Sequence, residues 1–304
     1  MKKWIPHASL LICCMIWGTT FVAIKKISHL IDTYLLATLR SLLAVLVLFP
    51  ILIVTKKKHV FFNKQAIKYG FIPGLILGGI YVIQTIGMQF TSSNHSAFIT
   101  SSAVIMVPLI LVVAGKQKLH FTQIACIVLI AFGLYFLTNP KDSQPYNVGD
   151  IITFFGAIVC ASHIILSGHY VRKTEFLGLI FYQFLFAMII SFLGLIINKG
   201  INHTDINFSP TVINNVLYLG FFGTLLCFFV TVWAQKFVST ITTAMILSLE
   251  PIFAATTSFI VFQDSLSLLE IIGGLAIVLG LITFNILNSK SGIVSKLEVT
   301  NDIN

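Results

Sequence analysis

The sequence predicts an all-α integral membrane protein of ten transmembrane helices, arranged as two five-helix inverted repeats. Three observations carry that expectation. The 304 residues are 57% hydrophobic and only 10% charged, with a mean hydropathy of +0.97. Soluble domains run nearer a quarter charged, so this composition excludes a water-soluble enzyme. The apolar stretches reach about 20 residues, the length that crosses about 30 Å of hydrocarbon at about 1.5 Å per residue, and lipid leaves such runs only helices or closed barrels. The same features also recur with a period near half the chain.

Span 1 (5–26) follows a basic start but leaves through Lys25 and Lys26 without a small-residue cleavage pattern, so it reads as a span rather than a signal peptide. Span 2 (33–55) carries Arg40 and stops at Lys56, Lys57 and Lys58. Span 3 (67–90) holds Gly70, Gly74 and Gly78 at four-residue spacing, a smooth face for a neighbouring helix. Span 4 (95–115) contains Pro108, and span 5 (119–139) contains Gly133. Span 6 (148–171) holds His163 and ends at Arg172 and Lys173; span 7 (176–198) ends at Lys199. Span 8 (212–236) has a polar stripe of Thr224, Cys227, Thr231 and Gln235, span 9 (239–262) the pair Glu250 and Pro251, and span 10 (266–288) Glu270 and Gly280.

An even number of spans puts both termini on one side. Lys2, Lys3, Lys56, Lys57, Lys58, Lys64, Lys68, Lys116, Lys118, Arg172, Lys173, Lys236, Lys290 and Lys296 fall on that side; opposite are Lys25, Lys26, Lys141 and Lys199. The positive-inside rule makes the termini cytoplasmic and explains the net charge of +9 without nucleic acid. The expected setting is the plasma membrane.

The repeat appears at several places. Trp17 aligns with His163 at a shift of 146, Arg40 with Gln183 at 143, and Gly133 with Gly280 at 147. Pro108 and Pro251 interrupt the fourth span of each half in a looser register. The units are residues 5–139 and 148–288, with a cytoplasmic tail over 289–304. Five spans is an odd number, so the second unit enters the membrane inverted. Such halves exchange two shapes around a midplane site.

In lipid, polar side chains turn inward, which makes Trp17, Thr20, Tyr81, Gln84, His163, Ser167, Thr231 and Glu250 the residues expected to face a solute. Arg40 and Glu270 read as gating or structural charges, with an Arg40 to Glu270 pair open as one arrangement and Arg40 to Glu250 as another. No catalytic residue, metal or cofactor is expected. HExxH, phosphate-loop and nucleophile-elbow patterns are missing, and His163 and His169 fall on different helix faces. The five cysteines, Cys13, Cys14, Cys126, Cys160 and Cys227, read as packing residues. Asn94, Asn202 and Asn207 open glycosylation triplets on expected outer loops, a chance pattern by default.

The run "IWGTTFVAIKK" around Trp17, Arg40 in "LRSLLA", "AFITSSAVIMVPLI", "ILSLEPIFAATTSFIVF" and "LSLLEIIGGLAIVLG" together resemble the EamA-type members of the drug/metabolite transporter superfamily, over residues 8 to 288. That resemblance implies a transporter with a central cavity lined by helices 1, 3, 4, 6, 8 and 9, and with helices 5 and 10 at the periphery. Gln263–Asp264 and His163 depart from the family pattern, which often shows Glu and an aromatic residue there. The function implied is export of small organic metabolites, such as amino acids, by alternating access. The alternatives are a non-transporting sensor or assembly subunit, and a membrane-embedded lipid-modifying enzyme. The partners expected are a small metabolite and the lipid bilayer, with no nucleic acid; a homodimer is left open.

Overall fold

The computed structural model describes residues 4–137, 147–201, 209–262 and 267–291. Lys2, Lys3, Lys141, Gln263–Asp264, the triplets opening at Asn202 and Asn207, and the tail beyond residue 291 lie outside the described residues. The regular structure among the described residues is all helical, without strands. The helices are α1 (Ile5–Ile27), α2 (Thr33–Val54), α3 (Lys64–Phe90), α4 (Ser93–Val113), α5 (Phe121–Leu137), α6 (Val148–Tyr170), α7 (Phe176–Ile201), α8 (Pro210–Ala234), α9 (Thr240–Val261) and α10 (Leu268–Ser291). Nine helices among the described residues have the length and apolar composition of a membrane span, and α5, with 17 residues, is a shorter apolar helix. The protein is a multi-pass membrane protein. Large apolar side chains such as Phe132, Phe155, Ile197, Leu275 and Leu279 are exposed on its outer faces, where lipid rather than water must cover them.

Helix ends are set by local chemistry. Asp32 accepts from the amides of Tyr34 and Leu35 to start α2, and Asn147 and Asp150 form a reciprocal capping box at the start of α6. Asn94 lies in the first turn of α4 rather than in a loop, and its triplet partner Ser96 is buried. That corrects the outer-loop placement of this triplet.

Three helices depart from the regular spans expected. α4 breaks between Ser101 and Ala103, and α9 between Leu247 and Glu250. The first break lies at Ser102, ahead of Pro108, which sits inside a continuing helix, and the second at Ser248, directly ahead of the Glu250–Pro251 pair; each serine hydroxyl donates to the carbonyl three residues back, Ile99 and Met245, at 2.6 Å. Side-chain bonds of this kind compete with the helix ladder. In α8 the segment Leu219–Leu226 is a π-helix, a local widening that rotates the following polar stripe relative to an ideal α-helix.

The helices pack through glycines. Along α3, Cβ atoms at Gly70, Gly74 and Gly78 would lie 2.5, 2.7 and 2.5 Å from Tyr182, Phe186 and Ile190 of α7. Each partner is 112 positions on, so the two helices run parallel and touch backbone to backbone. α5 and α10 run antiparallel: a Cβ at Gly133 would meet Ile277 at 2.8 Å, and one at Gly280 would meet Ile130 at 2.7 Å. A shift of 147 carries Gly133 onto Gly280 and Ile130 onto Ile277, so this contact is its own image.

A second pair of contacts obeys the same shift. Lys25 at the end of α1 donates to the carbonyls of Met88 and Thr91 at 2.8 and 2.7 Å. Arg172, just past α6, donates to those of Gln235 and Val238 at 3.3 and 3.4 Å. Both cations cap the C-terminal carbonyls of a helix, α3 and α8, where the backbone presents partial negative charge.

The turn between α6 and α7 is tied to the α2–α3 connection through Glu175, which bonds Lys57 and His59 at 3.0 Å each. Partial burial works to raise the Glu175 carboxyl, but the bonds from Lys57 and His59 outweigh it and hold the group below its ordinary value of 4.5. A depressed carboxyl stabilises the fold above its unfolded pKa and loses that contribution as pH falls through the folded one. Lys57 and His59 are well exposed, so screening keeps the effect small. Glu175→Gln is expected to cost about 1 kcal/mol or less. Thermal unfolding at neutral pH checks this, and the difference from the parent protein should fade on acidification below pH 4.5.

Candidate functional site

One cavity of about 70 Å³ sits where the two halves meet, room for several waters at about 10–15 Å³ each. It is lined from α1, α3, α4, α6, α8 and α9, with Arg40 reaching in from α2. The breaks in α4 and α9 both open onto it, through Ser101 and Ala103 on one side and Leu247, Ser248 and Glu250 on the other. Pro251 has no amide to offer the Leu247 carbonyl four residues back, which leaves that oxygen without its helical partner at the cavity wall.

Its apolar wall is centred on Phe228 of α8, met edge-on by Trp17 (5.0 Å), Tyr81 (5.8 Å) and His163 (5.4 Å). These rings come from α1, α3 and α6, so the wall joins both halves. The indole of Trp17 donates to the Gly223 carbonyl at 2.8 Å, inside the π-helical segment. The hydroxyl of Thr20 is turned back onto its own helix, donating to the Trp17 carbonyl at 2.7 Å.

Of the eight residues expected to face a solute, seven line this cavity: Trp17, Thr20, Tyr81, Gln84, His163, Thr231 and Glu250. Ser167 does not. It is fully buried behind His163, 3.3 Å from the ring nitrogen, and accepts from Gln183 at 3.3 Å. Gln183 completes the cluster at 3.2 Å from His163.

Arg40 does not pair with either glutamate. Its Nε donates to Thr224 at 3.0 Å and its guanidinium lies 4.3 Å from the centre of the Tyr81 ring. Glu270 instead caps its own helix, accepting from the Ser267 amide at 2.6 Å. The Arg40 to Glu270 pair is therefore corrected: a carboxylate held by the first turn of α10 is committed there.

Residue-by-residue reading misses Thr100, Ser101, Cys160, Phe228 and Ser248, all on the cavity wall. Ser101 and Ser248 were within reach, since the repeat shift of 147 relates them. Phe228 carries no signal of its own among 27 phenylalanines. Among the described residues no three His, Cys, Asp or Glu side chains converge to hold a metal.

A model of the EamA-like transporter family matches residues 4–139 and, a second time, residues 147–286. The chain belongs to that family. Two EamA-like segments thus cover nearly the whole of it, consistent with the duplicated features above. A protein of Archaeoglobus fulgidus, named only as an uncharacterized transporter, is 27% identical over 282 residues, 93% of this chain and 86% of its own length. The uncharacterized transporter YoaV of Bacillus subtilis is 22% identical over 271 residues, 88% of this chain and 92% of its own. A solved crystal structure superposes with a TM-score of 0.74 at 12% identity, covering 95% of this EamA-family chain and 98% of the other, which shows the shared fold.

Proposed function

We propose that the protein is a secondary transporter that exports a small organic metabolite, an amino acid or related compound, across the cytoplasmic membrane by alternating access. The observation that carries this reading is the cavity itself. It is a mostly apolar, aromatic-walled space carrying a few polar side chains at the junction of two halves, flanked by two broken helices whose interruptions follow the repeat. Broken helices at membrane depth persist where they line such a space.

The halves, residues 5–139 and 148–288, are read as inverted copies with both termini in the cytoplasm. The antiparallel α5–α10 seam and the Lys25 and Arg172 contacts support that reading, because each maps onto its image under one shift. On this topology Lys25 holds the outer end of α3 and Arg172 the inner end of α8. Loosening them should bias the protein in opposite directions. Lys25→Met is expected to raise labelling of a Gln84→Cys reporter by an impermeant thiol reagent from outside, and Arg172→Met that of a Gln235→Cys reporter from inside. Matching shifts in one direction would contradict two gates.

The decisive test is flux. Purified protein in proteoliposomes, offered a panel of amino acids and organic acids with and without a pH gradient, should accelerate the exit of at least one. No protein-dependent flux of any solute would defeat the transport reading. Impermeant labelling of cysteines placed at positions 2 and 290 tests the topology, and opposite-side reactivity would defeat the inverted halves.

A further inference from the structure

The two halves place polar or aromatic side chains at corresponding positions, and only in the second half do these side chains bond one another. Under the repeat, Trp17, Thr20 and Arg40 in the first half correspond to His163, Ser167 and Gln183 in the second. The backbone geometry agrees: a Cβ at Gly74 would lie 3.1 Å from the Cα of Gln183, and one at Gly220 would lie 3.5 Å from the Cα of Arg40. In the second half Gln183 is wholly buried and closed off, its amide shared between His163 and Ser167. In the first half the position carries a full positive charge instead. Trp17 and Thr20 spend their donors on backbone carbonyls and have no acceptor oxygen committed to it.

Arg40 is only 2% exposed, yet its Nη1 has no hydrogen-bond partner. Thr224 takes Nε and the Tyr81 ring covers the face, but no ion pair among the described residues includes Arg40. A guanidinium presents five donors in a flat fork that suits a carboxylate in two-point contact, and burying it unpaired is costly. Beside it Gly223, in the π-helical segment, makes room for Thr20: a Cβ there would lie 2.9 Å from the Thr20 Cγ2 and, at 3.8 Å, only in ordinary contact with Arg40 Nη2. π-Helical turns of this kind recur at functional sites. Glu250 lies on the same cavity wall and likewise belongs to no ion pair among the described residues. The buried Ser101 hydroxyl and the side-chain amide oxygen of Gln235 are also unpartnered there.

We infer that Arg40 is the anchor for a carboxylate of the transported solute, and that Glu250 takes the cationic group of the same molecule, so that the cavity selects compact zwitterions. This rests on the transport reading above and names which end of the solute meets which helix: the acid end α2 of the first half, the ammonium end the broken α9 of the second. A solute held at both ends bridges the two halves, so its binding is coupled to their relative position. A solute with one of these charges leaves the other buried group without a partner.

Matched probes test this on the full-length protein in detergent and in proteoliposomes. Three series are used, each keeping one skeleton: alanine, propionate and ethylamine; leucine, 4-methylpentanoate and 3-methylbutylamine; phenylalanine, 3-phenylpropanoate and phenethylamine. Thermal stabilisation and flux are read at matched ionic strength. In at least one series the amino acid should bind best, the acid more weakly, and the amine without measurable effect. Arg40→Gln should weaken the acid and the amino acid by about thirtyfold or more, as expected for truncating one side of a buried charge pair. Arg40→Lys should recover part of the loss, and Thr224→Val should leave most binding intact. If Arg40→Gln does not fold, the parent protein's own charge series decides.

Binding of the amine equal to that of the acid, or no response to any acid or amino acid, would overturn the anchor. Flux of an uncharged or purely cationic solute together with unchanged activity in Arg40→Gln would overturn it too, while leaving the transport reading standing. Acid-selective binding with no flux of anything would do the reverse.

Discussion

Glu250→Gln is expected to slow solute flux in proteoliposomes about thirtyfold or more, while the purified variant elutes and melts close to the parent protein. The side chains are nearly equal in volume, so packing is preserved and only the ionisable group goes. That carboxyl occupies a particular place. Glu250 is the first residue of the second segment of α9, and a helix N-terminus favours an anion there. It lines the cavity, and no lysine or arginine pairs with it among the described residues. Ionisable side chains at membrane depth are rare and commonly mark a solute or proton path, which a purely packing role would not require. Removing one side of a charge-assisted contact costs about 2–5 kcal/mol, which sets the size of the flux change.

The same variant reports on coupling. If the carboxylate carries a proton through the cycle, a pH gradient stimulates the parent protein and leaves Glu250→Gln unaffected. If Arg40 and Glu250 hold opposite ends of one solute, the double variant with Arg40→Gln loses far less than the product of the two single losses, because either single change already frees one end. Parent-like flux in Glu250→Gln would assign the carboxylate to structure alone.

Most of the architecture is written in the apolar runs. The span boundaries agree to within a few residues because crossing lipid requires both a minimum length and internally satisfied backbone, a constraint strong enough to read from composition. α3 begins at Lys64 rather than 67 because the Asn63 side chain caps it, accepting from Gln65 and Ala66. The cavity wall was legible where a polar residue interrupts an apolar helix, as at Gln84, His163 and Thr231. It was illegible where the deciding event is a backbone one. The π-helix in α8 leaves no residue signature beyond Gly220 and Gly223, and it shifts which side chains of the stripe reach the cavity: Thr231 and Gln235 do, whereas Thr224 is spent on Arg40. The serine breaks hide for a similar reason. Serine is common in membrane helices, and a hydroxyl bonded three residues back does not by itself mark a break, since Thr19 and Thr20 make the same bond within unbroken α1. Pro108 misleads in the opposite direction, since it sits inside a continuing helix, whereas the break in α9 falls directly ahead of Pro251.

Gly74→Val is expected to cost about 3 kcal/mol and to remove most of the folded, monodisperse protein, whereas Gly79→Ala, five residues further on, should be neutral or stabilising by up to about 1 kcal/mol. The contrast follows from position. A Cβ at Gly74 would stand 2.7 Å from that of Phe186 and 2.8 Å from the carbonyl oxygen of Gln183, and backbone does not swing aside as a side chain can. At Gly79 nothing lies within 4 Å, so the same chemical change meets open space and gains only helix propensity. Thermal unfolding of the detergent-purified variants, monitored by size-exclusion fluorescence, separates the two, and a Gly74→Val protein as stable as Gly79→Ala would mean that α3 and α7 do not touch as described. The comparison also bears on motion. Gly70, Gly74 and Gly78 interlock α3 of the first half with α7 of the second at one fixed offset, and a sliding step along that seam would drive Tyr182, Phe186 and Ile190 out of their glycine notches. On the alternating-access reading proposed above, exchange between two shapes would be confined to rotation about this seam, with the broken helices α4 and α9 supplying the bend.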